Sequence, residues 1–258
     1  MTESQPEPII ETRDLTIRFG GHVAVDHVNL RIEPFVLKSI IGPNGAGKTT
    51  LFNLMTGQYK PSGGRVFLMG KDITRLSVVE RTRLGIGRSF QLTNIFPALT
   101  VLENVRVTIQ SRKDFGLNFW RNYLHFSEVE DEAYFILQDV LLEEKWAVLA
   151  SALTHGEQRK LEIAILLALE PEILFLDEPT AGMGQEEVPA ILEILQRIKE
   201  AGDRTMLLVE HKMDMIMTLS DTIAVLQEGR LIADGDPEEI SKSDAVRKAY
   251  LGGGAKRE

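Results

Sequence analysis

The stretch Gly42-Pro43-Asn44-Gly45-Ala46-Gly47-Lys48-Thr49 constrains this chain more than any other, because it reads G-x-x-x-x-G-K-[ST]. Glycines at those places let backbone N–H groups close around an anion where any Cβ would obstruct the approach. Lys48 can reach the β- and γ-phosphates of a nucleotide, and the Thr49 hydroxyl can take a place on Mg²⁺. The residues that follow, Thr50 to Met55, suit a helix whose N-terminus points at the bound anion. The apolar Leu37, Ile40 and Ile41 before it suit a buried strand. In a chain of 258 residues a glycine-rich turn would match the pattern by chance on the order of once in a hundred. Strand, phosphate loop and helix in this order predict an α/β domain that binds a nucleoside triphosphate.

The length suffices for one large α/β domain, or a core with a sub-domain. A formal net charge of −9 argues against a general nucleic-acid or acidic-lipid surface. The absence of cysteine excludes disulfides and thiolate metal sites. The longest uninterrupted apolar run, Ile163 to Leu169, is far short of the roughly 20 residues that span a bilayer. Met1 to Pro8 is polar and acidic, with no signal-peptide core. The expectation is a cytosolic protein, which can still dock on a membrane protein.

Ile9 to Phe19 and Val23 to Ile32 carry alternating or β-branched runs joined at Gly20-Gly21, and read as a hairpin ahead of the phosphate loop. Arg65 to Met69 reads as a further short strand. Ile173-Leu174-Phe175-Leu176 is wholly apolar, as in a buried parallel strand, and Thr205 to Val209 and Thr222 to Leu226 repeat that signal. Val188, Ile191, Leu192, Leu195 and Ile198 recur at helical spacing, with Gly202 as a C-terminal stop. About Leu92 to Ala152, strand signals give way to helical patterns over Val101 to Ser111 and Glu128 to Leu142, with Phe115, Phe119, Trp120 and Tyr123 between them. This segment reads as a helical sub-domain inserted into the α/β core.

Asp177-Glu178 follows an apolar strand directly. A carboxylate at the C-terminal end of a parallel strand is where Asp can hold Mg²⁺, and the adjacent Glu178 can orient or deprotonate an attacking water. Further elements resemble those of the ABC ATPases. Leu153-Thr154-His155-Gly156-Glu157-Gln158 resembles that family's LSGGQ signature, His211 falls where it has its switch histidine, and Gln91 falls where it has its Q-loop glutamine. The motifs stand in family order over essentially Ile9 to Gly252. The resemblance implies a RecA-like P-loop NTPase core with an N-terminal antiparallel β part and an inserted helical sub-domain. It implies a single ABC ATPase domain, with the core at about 9–91 and 153–252 and the helical insertion at about 92–152.

It also implies a mechanism. Two such subunits would pair head-to-tail and bury two ATP molecules, each between the P-loop of one subunit and the signature of the other. Thr154 Oγ, the Gly156 N–H and Glu157 would then face ATP in trans. His211 would contact the γ-phosphate in cis, Glu178 would serve the attacking water, Thr49, Gln91 and Asp177 would hold Mg²⁺, and Lys48 would hold the phosphates. Phe19 falls at the family's adenine-stacking aromatic; the alternative is a strand core residue.

Several positions depart from the family pattern. Thr154 replaces Ser, His155 the first Gly, and Glu157 the usual Gln. Glu157 sets a negative charge near a triphosphate unless it pairs with Arg159 or Lys160. His155 reads as a space-filling variant or as a residue with a pH or phosphate role. Ala181-Gly182-Met183-Gly184 lacks the D-loop carboxylate, and Phe35-Val36 replaces Gly-Glu before the P-loop strand.

Within the family, five features resemble the LivG-type ATP-binding subunits of branched-chain amino acid importers. They are Arg13-Asp14-Leu15-Thr16 to Phe19-Gly20-Gly21, Gly85 to Gln91, the aromatic insertion after Arg112, the Gly156-Glu157-Gln158-Arg159 variant, and the ending Ala249-Tyr250-Leu251-Gly252. Urea importers and lipopolysaccharide-export ATPases share much of this pattern, and a soluble ABC ATPase is a further alternative. The implied partners are a second ABC ATPase, as a heterodimer in preference to a homodimer, two transmembrane permeases, and indirectly a periplasmic or extracellular binding protein, with no nucleic acid. The implied place is the cytoplasmic face of the membrane. A permease helix would enter the groove near Gln91 to Phe96, with Leu92, Ile95 and Phe96 as apolar contacts.

Overall fold

A computed structural model describes residues 7–89, 95–113 and 126–251, and the hairpin at Gly20-Gly21 opens it. Strands β1 (Ile10–Phe19) and β2 (His22–Ile32) pair antiparallel from Phe19 opposite His22 to Ile10 opposite Ile32. Gly20 takes the positive φ of 58° that a tight turn requires. Adding β4 (Gly63–Leu68) and β5 (Lys71–Asp72) gives a four-stranded antiparallel sheet in the order β2-β1-β4-β5.

The apolar runs build a second sheet. Strand β3 (Leu37–Ile41) is buried throughout because it has parallel neighbours on both sides, β8 (Thr205–Val209) and β9 (Thr222–Gln227). Next to β8 lies β7 (Ile173–Asp177), also parallel and fully buried. The six-stranded order is β10-β9-β3-β8-β7-β6, with β6 at Ile86–Arg88 and β10 (Arg230–Gly235) antiparallel to β9. Lys38, the one charged residue of β3, is offset by an ion pair to Asp234 at 2.6 Å.

Helix α1 (Lys48–Met55) follows β3 and joins the cores of both sheets: Leu51, Phe52, Leu54 and Met55 lie in one buried cluster with Ile10, Val28, Ile40, Phe175 and Leu207. Phe52 meets Phe175 edge-on, with centroids 5.1 Å apart. The short helix α2 (Val78–Arg83) supplies Arg81, buried at 1% exposure. Its guanidinium donates to the carbonyls of Leu54 (2.9 Å), Met55 (2.6 Å), Leu76 (3.2 Å) and Thr74 (3.1 Å). Two of these belong to the last turn of α1, so a cation caps the negative end of the helix whose other end carries the phosphate loop. Burial pushes the Arg81 guanidinium down to about 10, still charged near neutrality.

The chain divides into two compact units, 1–86 with 172–178 and 202–258, and 87–171 with 179–201. The second unit contains the segment expected to be helical and takes in two flanking helices as well. It consists of α3 (Val101–Arg112), α4 (Phe126–Asp139), α5 (His155–Ala168) and α6 (Val188–Ala201). Buried residues recur every fourth position in α3 (Val101, Val105, Ile109) and α4 (Val129, Ala133, Leu137). Asn104, fully buried, accepts from the Phe96 N–H at 2.7 Å and donates to the Thr100 carbonyl at 2.8 Å, which fixes the approach to α3. The first unit closes with α7 (Met213–Leu219), α8 (Pro237–Lys242) and α9 (Asp244–Leu251). Among the described residues no helix is long and apolar enough to cross a membrane.

Candidate functional site

Because β3, β8 and β7 are adjacent and parallel, their C-terminal ends deliver three loops to one edge of the sheet. The loop after β3 is Gly42 to Gly47, that after β8 carries Glu210-His211, and that after β7 begins at Glu178. The first two loops, and Glu178 at the head of the third, lie in the first unit.

Three glycines shape the first loop. Gly42 (φ 152°) and Gly47 (φ 98°) also face carbonyl oxygens, of Leu226 and Ala24, that any Cβ would strike. Gly45 (φ 79°) has open space around it, so its requirement is conformational. The Ala46 carbonyl accepts from the Gly229 N–H at 3.0 Å and braces the loop from β10's side. Gly47 is the N-cap of α1, with no capping side chain and no acidic residue in the first turn. By contrast, α2, α3, α5 and α8 each begin with a full capping box. The α1 amides therefore face outward without a carboxylate of their own, which fits a phosphate in the cradle.

Lys48 is buried, and its Nζ donates to the carbonyls of Gly42 (2.8 Å) and Pro43 (3.2 Å). Burial pushes the ammonium below its ordinary value, while the carboxylates of Glu178 and Asp177 favour the charged form. Asp177, at 1% exposure, ends β7. Glu178 follows with φ 50°, its N–H held by the Val209 carbonyl at 2.8 Å. A non-glycine residue in that region carries strain on the order of 1–3 kcal/mol, and such residues gather at functional sites. Its Oε1 lies 2.8 Å from His211 Nε2. His211 is aimed in turn by the buried Glu210, whose carboxylate accepts from the backbone N–H groups of His211 (2.8 Å) and Lys212 (3.3 Å). Lys48, Asp177, Glu178 and His211 thus lie close together. Thr49 and Thr50 open α1 in partly exposed positions.

Phe19 is 47% exposed at the end of β1 and meets Tyr59 edge-on, centroids 5.4 Å apart. It is therefore no core residue, and its ring is available for stacking. Gln91, Leu92 and the aromatics Phe115 to Tyr123 lie outside the described residues.

The signature segment, in the second unit, differs from expectation in one respect. Glu157 pairs with Lys145, not with Arg159 or Lys160. Arg159 is bound to Glu162 at 2.6 Å and to the Pro179 carbonyl at 3.2 Å, and Lys160 reaches the Leu141 carbonyl. Glu157 also closes a capping box on α5: its carboxylate accepts from the Thr154 N–H at 2.9 Å, and Thr154 Oγ accepts from the Glu157 N–H at 3.3 Å. Burial raises the Glu157 carboxyl, but Lys145 and the Thr154 N–H together hold it below the ordinary carboxylate range. His155 is exposed and its ring lies 3.4 Å from where a Cβ on Gly182 would stand. Lys145, Arg81 and Tyr59 had no local signal in the sequence, since each acts through residues distant along the chain.

With this geometry in place, comparison with known proteins decides the family. The model of the ABC transporter family matches residues 25–181. The chain belongs to the ABC transporter ATP-binding proteins. A second family model, the branched-chain amino acid ATP-binding cassette transporter, matches residues 230–256. This ABC chain is 39% identical to the high-affinity branched-chain amino acid transport ATP-binding protein LivG of Escherichia coli over 254 residues, 95% of this chain and 98% of that one. It is 40% identical over 252 residues to BraF of Pseudomonas aeruginosa, named likewise, with the same coverage. Among solved structures, the ADP conformation of MJ1267, an ATP-binding cassette of an ABC transporter, matches with TM-score 0.80 and 29% identity, covering 95% of this chain and 99% of that one. A dimeric post-hydrolysis state of the cassette MJ0796, bound to ADP and Pi, matches with TM-score 0.74 and 27% identity, covering 88% and 98%. The fold is therefore that of the ABC ATPases, and the chain is an ATP-binding ATPase of LivG type.

Proposed function

We propose that this chain hydrolyses ATP to drive uptake of branched-chain or related amino acids through a membrane permease. The pairing of Glu178 Oε1 with His211 Nε2 at 2.8 Å, beside the Lys48 loop, is the observation that carries the catalytic half of this reading. The LivG and BraF relatives support the transport half. The cradle of Gly42, Pro43, Asn44, Gly45, Ala46 and Gly47, with Lys48, Thr49 and Thr50, binds the triphosphate, and Phe19 stacks on the base. Glu178 orients and deprotonates the attacking water, and His211 holds that water against the γ-phosphate. Thr49, Asp177 and Gln91 are the residues that would hold Mg²⁺, which supplies neutralising charge to the phosphates. Thr154, Gly156 and Glu157 meet ATP from the partner subunit in a head-to-tail pair.

The chain lies at the cytoplasmic face of the membrane, bound to two permease subunits and, by its likeness to two-ATPase importers, to a different ABC ATPase. A periplasmic or extracellular binding protein delivers the solute. A tagged Glu178→Gln chain, recovered from detergent-solubilised membranes with ATP and Mg²⁺ and analysed by mass spectrometry, tests these partners. Two hydrophobic permeases and a second ATPase are expected. Recovery of only soluble or nucleic-acid-bound proteins would contradict the transport reading.

A further inference from the structure

One carboxylate holds two backbone N–H groups from separate loops. Glu187, which immediately precedes α6, accepts from the Gly156 N–H on Oε1 and from the Gly184 N–H on Oε2, each at 3.2 Å. It also fills the space above Gly156, where a Cβ would stand 2.5 Å from Oε1. The Glu187 N–H returns a hydrogen bond to the Gly184 carbonyl at 3.0 Å, so the turn is held from both directions. His155 covers the same segment at Gly182. The loop that lacks the family's D-loop carboxylate is thereby tied to the signature helix by a carboxylate placed three residues later.

Gly156 N–H is the group that the two-subunit reading assigns to the γ-phosphate of the partner's ATP. One N–H cannot serve a carboxylate and a phosphate at full strength, and two anions brought together at a closing interface repel. We infer that Glu187 is a positioning residue that clamps the Gly156 N–H and the 181–184 segment together, and that the arriving γ-phosphate displaces it. This inference rests on the head-to-tail ATPase reading. Displacement frees Gly184 at the same moment as Gly156, so phosphate arrival at the signature is transmitted to the neighbouring loop. Glu187 thus opposes premature closure, and removing it makes closure easier at low ATP.

The test uses the assembled transporter with Glu178→Gln in this chain and the corresponding substitution in its partner ATPase, and reads the ATP concentration giving half-maximal retention of radiolabelled ATP. Adding Glu187→Ala should lower that concentration about threefold to tenfold, the scale of one charge-assisted hydrogen bond shared with solvent. Glu187→Gln, which keeps the shape and one acceptor but removes the charge, should fall between. A purely structural role for Glu187 predicts the opposite sign, because a disordered signature would need more ATP. An unchanged or raised half-retention concentration, in whichever variant retains the wild-type melting transition, would overturn the inference. Failure to retain ATP with Glu187 intact would instead contradict the two-subunit reading beneath it.

Discussion

Glu157 shows how a residue read alone can mislead. In the sequence it is a negative charge set beside a triphosphate; in the fold that charge is engaged by Lys145 and the Thr154 N–H. Its carboxyl lies below the ordinary 4.5, so its stabilising contribution is present above that value and is lost as the pH falls through the lowered one. Glu157→Gln should therefore melt lower than the wild type at pH 7, and the gap should close as the pH falls through the lowered range of this carboxyl. A gap that is constant with pH, followed by calorimetry, would mean that the ion pair contributes nothing. The spacing Thr154-His155-Gly156-Glu157 is itself a capping-box pattern, so half of this arrangement was legible without the structure. Lys145 was not, because nothing local marks it. Phe35 teaches a similar lesson: it is 63% exposed at φ 61°, where the family's glycine would be unstrained. Phe35→Gly should raise stability in urea by about 0.5–1 kcal/mol, the left-handed strain offset by glycine's entropy; a loss would show that the ring makes a favourable contact.

At the level of elements, the apolar runs foretold the sheet correctly, because a strand with parallel neighbours on both sides must be buried on both faces. Their order along the sheet was not written in any one run. Placing β8 between β3 and β7 is what brings His211 between the Lys48 loop and Glu178. The family motifs supplied that juxtaposition, since periodicity carries no information on which strands are adjacent. Arg81 was invisible for the same reason: an arginine in a short polar helix reads as surface, yet its guanidinium ties the end of α1. Arg81→Met leaves the Leu54 and Met55 carbonyls buried without their donor and should cost about 2–4 kcal/mol. It should also weaken ATP binding, because α1 carries the phosphate loop at its other end. Denaturant unfolding and a nucleotide titration of the same variant check both, and an unaltered ATP affinity would separate the cap from the loop.

For the whole molecule, the residues proposed to serve ATP divide by unit: Lys48, Asp177, Glu178 and His211 belong to the first, and Thr154, Gly156 and Glu157, proposed to meet the partner's ATP, to the second. That division suits an engine in which ATP draws two subunits together and hydrolysis releases them. Lys48→Ala should abolish ATP binding, and Glu178→Gln should bind ATP, hydrolyse it at a rate reduced about a hundredfold or more, and hold the paired state; wild-type turnover in the latter would place the water on another residue. The sequence identified this engine through motifs in order. The most direct test is uptake of radiolabelled leucine, isoleucine and valine by cells of the source organism lacking this chain and supplied with either the wild type or Glu178→Gln. Restoration by the wild type alone, with both chains recovered on the membrane in equal amount, is the predicted result. Uptake that does not depend on the chain, or that Glu178→Gln restores in full, would contradict the account.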